Sequence, residues 1–116
     1  MSEYTIFHNP KCSKSRATLA LLEEGGATPR IVEYLKTPPT RAELKTILSR
    51  LGMKPEQLIR KGEDVYKAKF AGKTLTDEQW IDAMVENPVL IERPIVVRGD
   101  RAVLGRPPEN VKTLLK

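Results

Sequence analysis

The feature that most constrains the fold is an alternation of strand, helix and strand at the start of the chain. Residues 4–7 form a β-branched and aromatic run that stops at Asn9-Pro10, which predicts a strand leading into a loop. A helix then begins near Ser13, and Gly25-Gly26 ends it. Its apolar positions are Ala17, Leu19, Ala20, Leu21 and Leu22. Residues 30–35 alternate like a second strand, so a right-handed parallel crossover is expected.

The middle of the chain has a different pattern, which is helical. Four segments carry helical periodicity: residues 40–51, 54–60, 64–70 and 76–86. Thr40-x-x-Glu43 and Thr76-x-x-Gln79 have the form of capping boxes, in which side chain and backbone bond each other at a helix start. We therefore expect a helical insertion over about residues 40–87.

The C-terminal third returns to strand patterns. Residues 94–97 and 102–104 flank Arg98-Gly99-Asp100-Arg101, which predicts an antiparallel hairpin, and Pro107-Pro108 starts a closing helix. The whole order predicts an α/β, thioredoxin-like fold: a mixed four-stranded sheet flanked by helices, with a helical insertion between strands 2 and 3. At 116 residues, one domain spanning residues 1–116 is expected.

Cys12 is the candidate nucleophile. It follows a strand and lies where a helix begins, so that it or Ser13 can cap the helix, and unpaired backbone N–H groups there favour the thiolate. Lys11, Lys14 and Arg16 place three cations close to it in sequence, and each favours a negative sulfur. The alternative is an ordinary buried cysteine, which the flanking charges disfavour. The pattern therefore indicates a thiol that attacks electrophiles at neutral pH.

Composition and spacing exclude several other chemistries. One cysteine and one histidine allow no internal disulfide and too few ligands for a structural zinc site. Because Ser15 makes the motif C-x-x-S, reduction of Cys12 requires a thiol from another molecule. Thr18 stands where a low-molecular-weight phosphatase loop requires arginine, which disfavours that chemistry.

The formal charge of +5 suits small anions as well as nucleic acid, and with 5% aromatic residues a nucleic acid partner is disfavoured. No signal peptide pattern or membrane span is visible, so a cytoplasmic protein is expected.

Three segments together resemble the glutaredoxin-coupled arsenate reductase family: HNPKCSKSR at residues 8–16, LIERPIVV at residues 90–97 and GRP at residues 105–107. The resemblance implies a thioredoxin-like fold with Cys12 as nucleophile and a substrate-binding set of three arginines, namely Arg60, Arg93 and Arg106. It also implies arsenate as substrate, glutathione as co-substrate and glutaredoxin as partner, with no metal and no bound cofactor. Guanidinium groups suit this task because they bind oxyanions in bidentate fashion and keep their charge.

Four further residues are assigned supporting roles. His8 is expected to tune the thiolate or order the loop, and Asn9 to hold the loop through backbone hydrogen bonds. Ser15 is expected to donate its hydroxyl to the thiolate. Pro94 is expected to be the cis proline that thioredoxin-like folds place opposite the reactive cysteine.

Alternatives to arsenate reduction remain open at this level. Well-characterised family members have glycine-threonine where this chain has Ser13-Lys14, which leaves open a monothiol glutathione-dependent oxidoreductase with another substrate. A non-enzymatic transcription regulator resembling the Spx proteins is a further reading, although those regulators usually carry C-x-x-C. For Arg60, the alternative is an ordinary solvated arginine beside Lys61.

Overall fold

The structure is a computed structural model that describes residues 4–115. These residues form two compact units. The first unit combines the two ends of the chain, up to Thr37 and from Arg93 onward. The second unit is the intervening segment, Pro38–Glu92.

The first unit is built on a mixed four-stranded sheet. Its elements along the chain are strand β1 (Tyr4–His8), helix α1 (Ser13–Glu24), strand β2 (Arg30–Glu33), strand β3 (Ile95–Arg98), strand β4 (Arg101–Leu104) and a 3₁₀ helix, Pro108–Leu114. The strand order is β2-β1-β3-β4, with β1 parallel to β2 and the other pairs antiparallel. This arrangement confirms the predicted sheet, the parallel pairing of β1 with β2 and the hairpin, although the closing helix is 3₁₀.

The sheet forms because its strands bury β-branched and aliphatic residues against α1 and the closing 3₁₀ helix. The fully buried cluster on this face is Ile6, Leu22, Val96, Val111 and Leu114. Burial of each such side chain contributes about 1.5–3 kcal/mol. Among the apolar positions of α1, Ala17 and Ala20 are exposed, and the helix buries Leu22 together with Ser15 and Thr18. Their hydroxyls have hydrogen-bond partners, which is what allows polar side chains on the inner face.

The second unit is the predicted helical insertion. It contains helices α2 (Arg41–Leu51), α3 (Asp64–Lys69) and α4 (Asp77–Glu86), with 3₁₀ turns at Pro55–Leu58 and Pro88–Leu90. Both predicted capping boxes form at the starts of α2 and α4. The chain's single tryptophan, Trp80, lies in this unit, is 2% exposed and contacts the rings of Tyr66 and Phe70.

One predicted helix of this unit is shorter than expected. Residues 54–60 form only the 3₁₀ turn Pro55–Leu58, after which Ile59 makes an antiparallel bridge with Ile91. The backbone N–H of Arg60 donates to Leu90 O at 2.7 Å, and the N–H of Glu92 donates to Leu58 O at 2.9 Å. These long-range bonds take the place of the helical bonds that the periodicity predicted. The periodicity of a short segment gives no sign of bonds to distant residues. Within residues 4–115, no helix combines the length and the apolar character that crossing a membrane requires.

Candidate active site

Cys12 occupies the N-cap position of α1, in extended backbone conformation. Its own N–H donates to Asn9 O at 3.0 Å, and its carbonyl accepts the N–H of Arg16 at 3.0 Å. The side chain is partly exposed, so an external reactant can reach the sulfur. The loop thus ends in a turn that presents Cys12 where the first N–H groups of the helix have no partner within the helix.

The surroundings of Cys12 lower the pKa of its thiol. Partial burial is the largest single influence and raises the pKa, because it disfavours the charged form. Hydrogen bonds from the backbone N–H of Ser15, the guanidinium of Arg93 and the backbone N–H of Lys14 outweigh it, and the charge of Arg93 adds to them. The thiolate fraction at neutral pH is therefore larger than for an ordinary cysteine.

The charged side chain that lowers this pKa most is remote in sequence. The charges of Lys11, Lys14 and Arg16 were expected to act on the sulfur, yet all three side chains are exposed, and Lys14 acts through its backbone N–H. Arg93 supplies the cation that acts on the sulfur. Its guanidinium hydrogen-bonds the sulfur, so its charge is close by and is screened less by water than the charge of an exposed side chain. Sequence proximity alone pointed to the wrong cations.

The hydroxyl of Ser15 has a different partner from the one expected. Ser15 is fully buried, its Oγ lies 2.6 Å from His8 Nδ1, and it accepts the backbone N–H of Asn9 at 3.0 Å. The prediction that this hydroxyl bonds the sulfur is corrected by this arrangement, in which the backbone N–H of Ser15 faces Cys12. Ser15 therefore ties the end of β1 to the first turn of α1.

His8 and Asn9 complete the loop. Burial lowers the pKa of His8, the nearby carboxylate of Glu33 opposes this, and the charge of Arg16 adds to the lowering. His8 is consequently neutral at pH 7, with one ring nitrogen available as an acceptor. The side chain of Asn9 accepts the N–H of Lys11 at 3.0 Å, which shapes the turn before Cys12.

Arg93 and Arg106 lie in adjacent segments of the first unit. The Arg93–Pro94 peptide bond is cis, as expected, and Arg106–Pro107 is a second cis bond that sequence reasoning did not predict. Arg106 Nη1 donates to the carbonyl oxygen of Arg93 at 3.1 Å. Two guanidinium-bearing residues are thus held side by side, one of them on the sulfur of Cys12.

Two residues that sequence reasoning missed connect these segments to α1. Thr18 is fully buried, and its hydroxyl lies 2.8 Å from Lys14 O and 3.3 Å from Gly105 O, to which it donates. The N–H of Gly105 donates to Pro94 O at 2.9 Å. A Cβ on Gly105 would lie 2.5 Å from Thr18 Oγ1 and 2.8 Å from Pro94 Cγ, so only glycine fits without displacement. The available signal was a threonine on the apolar face of a helix.

Arg60, the third predicted arginine, lies in the Pro38–Glu92 unit. Its guanidinium pairs with Glu63 at 3.1 Å and with Glu92 at 2.7 Å. Partial burial alone would lower the pKa of Arg60, but these two carboxylates raise it. In this structure the positive charge of Arg60 is therefore balanced by the carboxylates of Glu63 and Glu92.

The site therefore combines an activated thiolate, Cys12, with a cation that lies against its sulfur, the guanidinium of Arg93. Such a pair can bind an anion and attack an electrophilic centre within it. Among the side chains of residues 4–115, no group of three or more His, Cys, Asp and Glu could hold a metal ion.

Comparison with known proteins identifies the family. The sequence model of the ArsC family matches residues 7–114. The uncharacterised protein YfgD of Escherichia coli strain K12 is 52% identical over 108 residues, 91% of each chain. An arsenate reductase of Neisseria meningitidis is 44% identical over 99% of this chain and 100% of its own. The solved structure of an arsenate reductase from Vibrio cholerae superposes with a TM-score of 0.93 at 46% identity, covering 97% of both chains. The chain described here therefore belongs to the ArsC family.

Proposed function

We propose that this protein is an arsenate reductase that uses Cys12 as nucleophile, glutathione as co-substrate and glutaredoxin as the protein that regenerates the thiol. The observation that carries the proposal is the lowered pKa of Cys12 beside the guanidinium of Arg93. The relatives that match over nearly the whole chain and are named arsenate reductase supply the substrate. We place the reaction in the cytoplasm, where glutathione keeps thiols reduced.

In the proposed site, Arg93 and Arg106 bind the arsenate oxygens, and Arg60 is the third arginine that the family resemblance assigns. Each guanidinium offers paired N–H donors to the oxyanion and stabilises charge that develops on its oxygens. At Arg60 the oxyanion would compete with two carboxylates, because Glu63 and Glu92 already bind its Nε and Nη1 groups.

The proposed reaction balances as three successive displacements, each made by a thiolate. The Cys12 thiolate attacks arsenic and forms a sulfur–arsenic bond, and the displaced hydroxide leaves as water after taking up a proton. The glutathione thiolate then attacks the Cys12 sulfur, so that a disulfide forms and the electron pair of the sulfur–arsenic bond stays on arsenic, which leaves as arsenite. A glutaredoxin thiolate attacks the glutathione sulfur of the mixed disulfide and frees Cys12. Since thiols supply both electrons, the scheme needs no bound cofactor.

The test is a coupled assay in which arsenate, glutathione, glutaredoxin, glutathione reductase and NADPH are supplied together. We expect NADPH consumption that depends on arsenate and disappears in Cys12→Ser. Absence of Cys12-dependent consumption would overturn the proposal. If Cys12 then still formed a mixed disulfide with glutathione, a monothiol oxidoreductase with another substrate would replace it.

A further inference from the structure

A small cavity opens beside the loop that carries Cys12. It has a volume of about 230 Å³ and lies at the carboxyl ends of β1 and β2. His8 contributes to it, and its other walls come from the loop after β1 and the segment after β2: Asn9, Pro10, Lys11, Glu33, Leu35 and Lys36. All these residues belong to the first unit, so the cavity is formed within it.

The cavity and the arginines lie on opposite sides of β1. Arg93 precedes β3 and Arg106 follows β4, and β3 is the neighbour of β1 on one side. The cavity lies on the other side, between the ends of β1 and β2. Lys11 forms part of its wall and directly precedes Cys12, so their Cα atoms are about 3.8 Å apart. A molecule in the cavity thus lies beside the residue that precedes the nucleophile, on the β2 side of β1, and leaves the arginine side free.

The surface of the cavity is almost entirely apolar, while three of the residues that line it carry a charged group. Pro10 and Leu35 contribute apolar surface, and Leu35 is 45% exposed, unusual for a leucine of this chain. Lys11 and Lys36 bring ammonium groups, and Glu33 brings a carboxylate. The Lys36–Glu33 pair measures 3.5 Å with side chains 80% and 42% exposed, so it is weak and easily exchanged for a ligand.

These features match a small zwitterion that carries carboxylates, an ammonium group and short methylene stems. Its carboxylates would pair with Lys11 and Lys36, its ammonium group with Glu33, and its stems with Pro10 and Leu35. The single cysteine makes an external thiol obligatory for any redox cycle. We propose that this cavity is the subsite for the thiol co-substrate, a zwitterionic thiol peptide of the glutathione type, bound on the β2 side while the oxyanion is bound on the arginine side. The proposal rests on the proposed function for its reaction, although thiol binding can be tested without arsenate.

The test uses Lys36→Glu and Leu35→Ser, which change two residues that line the cavity on the β2 side. The probe is glutathione disulfide: the Cys12 thiolate attacks one sulfur, a mixed disulfide forms, and a glutathione thiolate leaves. The rate of this exchange is followed by mass spectrometry and compared with the rate for hydroxyethyl disulfide, which carries no charge. We expect Lys36→Glu to slow the reaction with glutathione disulfide by about three- to tenfold, and Leu35→Ser by a smaller factor, while the neutral disulfide reacts unchanged.

Matched controls are available within the chain. Ile31 is 49% exposed, close to Leu35, but does not line the cavity, so Ile31→Ser should leave both rates unchanged. Lys73→Glu makes the same charge reversal at an exposed lysine outside the cavity. Equal slowing with both disulfides, no change in either cavity variant, or the same change in the controls would overturn the subsite.

The steady-state assay separates this inference from the proposed function. If both hold, Lys36→Glu raises the KM for glutathione and leaves the KM for arsenate unchanged. Selective loss of reaction with glutathione disulfide in a protein that does not reduce arsenate would support the subsite and reject the arsenate assignment. Arsenate reduction with an unchanged KM for glutathione in both cavity variants would support the arsenate assignment and reject the subsite.

Discussion

At the scale of single residues, the thiol of Cys12 meets two backbone N–H groups and one guanidinium. The N–H groups belong to Ser15 and Lys14, so they are retained under nearly any substitution of those side chains, whereas the guanidinium of Arg93 is lost in a single change. Because these groups bind the thiolate more strongly than the thiol, the folded protein releases the Cys12 proton at lower pH than the unfolded chain does. The two kinds of contribution can therefore be separated by mutation.

We predict that Arg93→Met raises the pKa of Cys12, whereas Lys14→Met leaves it nearly unchanged. The pKa of the wild-type thiol should lie below that of an ordinary cysteine, and removal of the guanidinium should move the midpoint upward. The measurement is the rate of iodoacetamide alkylation as a function of pH. An upward shift in Lys14→Met equal to that in Arg93→Met would show that the sequence-adjacent cations control the thiol after all.

We predict that Ser15→Ala destabilises the protein by about 1–3 kcal/mol, because it leaves the buried N–H of Asn9 without its acceptor. The hydrogen bond between Ser15 Oγ and His8 Nδ1 disappears as well. Denaturant unfolding gives the free energy, with Ser13→Ala, at an exposed position in the same turn, as control. A free energy of unfolding unchanged in Ser15→Ala would contradict this account of the loop.

At the scale of elements, the position of α1 relative to the arginine-bearing segments depends on the contact between Thr18 and Gly105. The Thr18 hydroxyl donates to Lys14 O in its own helix and to Gly105 O, and the backbone N–H of Gly105 donates to Pro94 O. The nucleophile and Arg93 and Arg106 are thus attached to one packed junction, defined by Thr18, Pro94 and Gly105. A change at this junction acts on the site without touching the substrate.

We predict that Gly105→Ala destabilises the protein by about 1–3 kcal/mol and raises the KM for arsenate, since the new Cβ would lie 2.5 Å from Thr18 Oγ1. Adding Thr18→Ala removes that atom and the Cγ2 at 2.9 Å. The double variant should therefore lose less unfolding free energy than the two single variants lose in sum. Thr18→Ser keeps the oxygen and should not rescue stability. Strict additivity of Gly105→Ala and Thr18→Ala in unfolding experiments would refute the contact.

Local patterns predicted the elements well and the junction poorly. The strands, the hairpin and both capping boxes follow from signals within a few residues, so the sequence specifies them directly. The 3₁₀ turn at Pro55–Leu58 is followed by backbone bonds that Leu58 and Arg60 make to residues 30 or more positions away. The partner of the Ser15 hydroxyl, the action of Arg93 on the sulfur and the fit of Gly105 against Thr18 likewise arise only when separate segments pack together.

At the scale of the whole molecule, the chain passes between its two units twice, at Thr37–Pro38 and at Glu92–Arg93. We propose that both units unfold as the single domain expected from the length of the chain. Support comes from the small size of the Pro38–Glu92 unit, because short chains bury a smaller share of their surface and are marginally stable alone. The proposal is open to a direct thermodynamic test.

We predict that thermal unfolding followed by tryptophan fluorescence coincides with unfolding followed by far-ultraviolet circular dichroism. Trp80 is the only tryptophan and lies in the second unit, so its emission reports that unit, whereas circular dichroism reports both. A single cooperative domain gives coincident curves. Two separated transitions, with the tryptophan following only one, would show independent domains.

The outer strands of the sheet, β2 and β4, both begin with an exposed arginine, Arg30 and Arg101. Unpaired strand edges are templates on which further strands add, and like charges at their ends oppose this. Ile31, half exposed on β2, works in the opposite direction. Aggregation of the protein in concentrated solution should therefore increase with ionic strength, because added salt screens the arginines and favours pairing through β2.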